Sequence, residues 1–141
     1  MFAAFPLLAL PVLIYNLVLL TMRGGLNTSD APTQLAGPLF TIGMTSGGQW
    51  PVTLGDLFLT AALVVMFIEL LKSTNSRNIA IVNHSLSLIL FVGCLVEFLL
   101  FKGFATSVFF LMTLMVLLDV LAGFIVTIVS SRRDIDLHDN G

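Results

Sequence analysis

Residues 106–129 read TSVFFLMTLMVLLDVLAGFIVTIV, a run of 24 residues in which Asp119 is the one ionisable side chain. A helix rises about 1.5 Å per residue, so the run spans about 36 Å, and the hydrocarbon core of a bilayer is roughly 30 Å thick. The amphipathic helix of a soluble protein would scatter its apolar residues along one face; this run is apolar all round. It is read as a transmembrane helix, and the rest of the chain is read outward from it.

Towards the N-terminus, Lys102-Gly103 makes a tight reversal into a second apolar run at 79–101. A polar turn, KSTNSRN at 72–78, separates that run from a third at 54–71, and a fourth occupies 5–22. The composition agrees: 57% of the 141 residues are hydrophobic and 10% are charged, where soluble domains carry roughly a quarter. Mean hydropathy is +1.06. The expected fold is an all-α integral membrane protein, a single domain over 1–141. It is a four-transmembrane-helix bundle with a long loop at 23–53 between the first two helices and a solvated, mobile tail at 130–141.

No basic residue precedes the first run and no small-residue cleavage site follows it, so it is expected to remain as a helix. Pro6 suits its first turn, whereas Pro11 lies deeper and predicts a kink. Tyr15 and Asn16 sit about 15 Å further in than Phe5, too deep for the aromatic belt, and are expected to face protein. The segment from Arg23 to Pro51 is rich in Gly, Thr, Ser and Pro, which is loop chemistry. Within it, 35–44 is apolar but would reach only about 15 Å as a helix, and Gly37-Pro38 interrupts it. That stretch is read as an interfacial or re-entrant element. Trp50 and Lys102 are read as anchors at the membrane surface. Thr53, followed three residues later by Asp56, predicts a helix cap in which each satisfies an orphan amide of the other.

With four spans, Lys72, Arg77, Arg132 and Arg133 fall on one side, and Arg23 and Lys102 on the other. Excess Lys and Arg stays cytoplasmic, which predicts an inner-membrane protein with both termini inside and the 23–53 loop outside. The six basic residues form no patch able to neutralise phosphates, which sets nucleic-acid binding aside. The single cysteine, Cys94, permits no disulfide within the chain and is read as a small apolar packing residue. Twelve phenylalanines are ordinary for lipid-facing helices and do not by themselves indicate a pigment or quinone.

Ionisable groups inside a span cost about 2.5–3.5 kcal/mol each, so each needs a partner, a wet cavity or a function. Small and polar residues form stripes at helical spacing: Gly55, Ala62, Glu69 and Ser73; Asn83, Ser87, Cys94 and Glu97; Asp119, Ala122, Gly123, Thr127 and Ser130. If these stripes face one another, Glu69, Asn83, His84 and Asp119 meet in the cytoplasmic half, with His84 and Asn83 hydrogen-bonding the acids. Glu97 falls near the outer surface, where Lys102 is expected to neutralise it.

No HExxH, CxxC or nucleophile–base pattern is present, so no enzyme, no metal site and no cofactor is indicated. Interhelical polar contacts are the commoner role for such residues, and a bundle this small suits an accessory or structural subunit of a larger membrane complex. Its partners are then the lipid bilayer and other membrane subunits, or copies of itself. The alternative is a small ion- or proton-conducting protein or transporter using Asp119, Glu69 and His84; a lipid- or quinone-linked enzyme ranks third.

Overall fold

The computed structural model describes residues 5–72 and 77–139. It is mostly helical, in the order α1 (Ala9–Thr21), α2 (Ala31–Ala36), β1 (Pro38–Gly43), β2 (Gln49–Thr53), α3 (Leu54–Lys72), α4 (Arg77–Leu100) and α5 (Ser107–Asp139). Three helices are long and apolar enough to cross a membrane: α3, α4 over Ala80–Leu100, and α5 over Ser107–Arg133. Within α5, 44% of the span is buried inside the chain, against 22% in each of the other two. α5 is therefore the central helix, and both α3 and α4 pack on it.

The fourth apolar helix is shorter than the 5–22 run. α1 has 13 residues because the chain before it forms turns, with Ala9 N–H bonded to Pro6 O at 3.1 Å and Leu10 N–H to Leu7 O at 2.9 Å. The late start removes the expected kink at Pro11. It lies in the first turn, where a missing N–H leaves no carbonyl of a preceding turn without its donor.

The 23–53 connection is not irregular throughout, and the fold is not purely α-helical. A short helix, α2, is followed by an antiparallel hairpin in which Phe40 pairs with Val52, Ile42 with Trp50 and Gly43 with Gln49. Its turn closes through Met44 N–H to Gly48 O at 2.8 Å, with Gly47 at φ +84°, a left-handed conformation that glycine adopts without strain. Alternation is what the eye misses here: Phe40, Ile42, Trp50 and Val52 lie on one face of the ribbon. The strand β1 is exposed along its whole length. Trp50, half exposed, thus belongs to a strand that leads into α3.

The β2–α3 junction carries the reciprocal cap. Thr53 N–H donates to Asp56 Oδ2 at 2.9 Å, and Asp56 N–H donates to Thr53 Oγ1 at 3.1 Å. At the other terminus α5 does not stop near Val129 but continues as helix to Asp139, in contrast to the mobile tail expected at 130–141. No glycine or proline occurs between Gly123 and Gly141, so nothing in the sequence breaks the helix.

At the end of the bundle near the hairpin, Tyr15 organises an aromatic core with Phe58, Phe104 and Phe109 at centroid distances of 5.4, 5.6 and 5.0 Å. Tyr15 Oη donates to Gly103 O at 3.1 Å and lies 2.7 Å from Thr106 Oγ1. A phenol has one hydrogen, and a carbonyl only accepts, so Thr106 is the donor to Tyr15. Gly103 is required by contact: a Cβ there would stand 2.8 Å from Leu26 O and 2.9 Å from Leu19 Cδ1. Tyr15→Phe should cost about 1–3 kcal/mol by stranding buried polar groups at Gly103 and Thr106. Thermal unfolding in detergent checks this, and Tyr15→Phe combined with Thr106→Val should lose less than the sum of the two single losses.

Candidate functional site

The opposite end of the bundle, where α3 finishes and α4 begins, holds a layer of buried polar side chains. Its anchor is Glu69, with no exposed surface. Its Oε2 accepts the Leu7 N–H at 2.9 Å, and the Asn83 amide donates to its Oε1. Lys72 Nζ lies 3.6 Å from the same carboxylate and also donates to Phe5 O at 2.7 Å. Leu7 lies just ahead of α1, where helix-start amides have no intrahelical acceptor, so Glu69 acts as a cap supplied by another helix.

One step along α5, Asp119 is 1% exposed and accepts from Ser87 Oγ at 2.7 Å. Asn83 and Ser87 are one helical turn apart on α4, so one face of that helix supplies both donors, the first to α3 and the second to α5. His84, the next residue after Asn83, lies with its ring directly against Gly123 of α5, where any Cβ would overlap the imidazole. Asp119 is within electrostatic reach of Glu69, His84 and Lys72.

All four residues singled out in the sequence, Glu69, Asn83, His84 and Asp119, are thus placed in this layer, with a different pairing from the one expected. Asn83 serves Glu69, but Ser87 rather than His84 serves Asp119. The imidazole packs against Gly123 and makes no hydrogen bond to either acid. Two members went unnoticed as ligands of Glu69. Lys72 stands at the start of the polar turn at 72–78, although its i,i+3 spacing to Glu69 is a helix-surface pair. Leu7 N–H carries no side-chain signal at all.

Glu97 and Lys102 do not pair. Glu97 instead receives Asn16 Nδ2 at 3.4 Å, while the Lys102 N–H lies 3.5 Å from Asn27 Oδ1. The groove that holds Glu97 and Asn16, between α1 and α4, has a volume of about 560 Å³ and is otherwise lined by apolar and small residues including Leu17, Ile89, Gly93 and Cys94. The Thr53–Asp56 cap lies beside a separate recess of about 420 Å³ between α2, α3 and α5. Among the described residues, no three His, Cys, Asp or Glu side chains gather closely enough to hold a metal ion. No family model, curated protein or solved structure matches this chain.

The packing of His84 on Gly123 gives a direct test. Gly123→Ala should destabilise the protein by about 1–3 kcal/mol, because the new methyl displaces a ring in a packed interface. His84→Ala in the same chain should restore most of that loss, as read by thermal unfolding in detergent.

Proposed function

We propose that this chain is a four-span inner-membrane protein that serves as an accessory subunit of a larger membrane complex, seating a partner's transmembrane helix in the α1–α4 groove. The observation that carries the reading is Glu97 in that groove. Its carboxylate receives one long hydrogen bond, from Asn16, on a surface otherwise made for hydrocarbon. Acyl chains cannot donate to it; a helix bearing serine, threonine, asparagine or lysine can. Gly93, one turn away on α4, has no atom within 4 Å of where a Cβ would stand. An uncovered glycine in a helix costs about 1 kcal/mol relative to alanine without any return inside this chain. It allows a second backbone to approach closely, as small residues do between helices in lipid.

Four crossings are supported by the reach of the first segment. Leu7 bonds Glu69 near the end of α3, while Leu19 packs against Gly103 ahead of α5, so the first segment links the two polar ends of the bundle. The orientation follows the basic residues, with Lys72, Arg77, Arg132 and Arg133 inside and the hairpin outside.

In Cys94→Ala protein, Ser46→Cys in the hairpin turn should label with an impermeant thiol reagent in intact cells, and Ser131→Cys only after disruption. Ala3→Cys, ahead of the first segment, should behave as Ser131→Cys does, and labelling of Ala3→Cys from the same side as Ser46→Cys removes the four-span reading. For the docking site, a photo-crosslinking residue at position 93 should give one discrete adduct heavier than the 15.3 kDa chain, absent when the probe is at Ile125 on the exposed face of α5. Glu97→Gln should weaken that adduct several-fold. If position 93 gives no adduct beyond those of position 125 and the protein purifies alone at its own mass, the subunit reading fails.

A further inference from the structure

Among the described residues, four buried side-chain atoms have no hydrogen-bond partner, and these belong to the polar layer: Asn83 Oδ1, Asp119 Oδ1, His84 Nδ1 and His84 Nε2. Buried polar groups are nearly always satisfied, and a buried donor or acceptor left alone costs about 1–3 kcal/mol. Four in one place call for a further polar partner. Its chemistry can be read from what they lack. The Asn83 amide cannot be flipped, since its nitrogen serves the Glu69 carboxylate, so Oδ1 can only accept. Imidazole always carries at least one N–H, and that N–H bonds neither unpaired oxygen directly.

An occupant that both donates and accepts is water, with or without an extra proton. A bare cation would serve the oxygens but not a ring N–H. The two protonatable orphans are adjacent: Ser87, which binds Asp119, is one turn from His84 on α4, and Gly123, which carries the imidazole, is one turn from Asp119 on α5. We infer that His84 and Asp119 form a proton-exchange site bridged by water held against Asn83 Oδ1 and reached from the Lys72 end of the bundle.

The exchange balances without any other reactant. A hydronium at the Lys72 end gives its proton to a His84 ring nitrogen and becomes water. The opposite ring nitrogen releases its proton through the bridging water to Asp119 Oδ1, and the reverse steps return it. Histidine suits this because its ordinary charge change lies near neutral pH. Among the described residues, the charged and polar groups around the pair are Glu69 and Lys72 of α3 and Asn83 and Ser87 of α4, with the Leu7 N–H bonded to Glu69. The side chain of Lys72 is 20% exposed, so this corner of the layer reaches the surface of the chain. The inference does not rest on helix docking, since the α1–α4 groove lies towards the other end of α4.

The chain has two histidines, so His138→Gln leaves His84 as the one reporter in ¹⁵N-histidine-labelled protein. In lipid vesicles, the His84 ring signals should change as pH is stepped between about 5 and 8. Asp119→Asn should alter the pH dependence of those signals. Ser87→Ala, which removes a donor to Asp119 but no charge, should move it less and serves if Asp119→Asn does not fold. Signals constant over that range in folded protein, or changing but unmoved by both substitutions, overturn the inference. So do signals that follow sodium concentration at fixed pH and ignore pH.

Discussion

A carboxylate with no exposed surface inside an apolar bundle is tolerable only where donors converge on it. Glu69 draws those donors from three places: the backbone ahead of α1, the Asn83 amide of α4 and the Lys72 ammonium one turn along α3. Meeting the need of one side chain therefore fixes three segments at a common level. Asp119 extends the constraint to α5, because the donor it uses, Ser87, is on the same face of α4 as Asn83. In lipid, where apolar side chains gain little by leaving one another for acyl chains, such contacts and close packing set the arrangement more than hydrophobic burial does.

The two ends of the bundle meet that constraint differently. Near the hairpin, the relay from Thr106 through Tyr15 to Gly103 is complete, and aromatic rings close around it. Near Lys72, the layer is only partly satisfied, with four atoms left over. Completed polar networks hold one arrangement, while incomplete ones in low dielectric are costly and demand a further participant. The asymmetry is what separates the structural end from the end to which proton exchange is assigned.

The hairpin needs support of its own, since a lone two-stranded ribbon is marginal in water. It is tied down at its base: Val52 is buried, and Thr53 passes directly from the strand into the cap of α3. The single residue Thr53 thus ends β2 and starts the helix that carries Glu69. Position and orientation of the first buried acid are set from the far end of the same element.

Uninterrupted apolar runs at 54–71, 79–101 and 106–129 were enough to specify three long helices, because length and hydropathy are local properties of the chain. The Thr53–Asp56 cap was equally legible, being a contact between residues three apart. The stripes at helical spacing also named Glu69, Asn83, His84 and Asp119 in advance. Their partners were another matter: whether Asp119 meets Ser87 or His84 depends on how α4 is rotated against α5, and that rotation is set by the imidazole lying on Gly123. The hairpin was hidden by a run too short to separate strand from helix, and the short start of α1 by turns to which Glu69 and Lys72 contribute from another helix. Chemistry within one turn of helix is written in adjacent letters, whereas pairing between helices follows from packing, which no single segment contains.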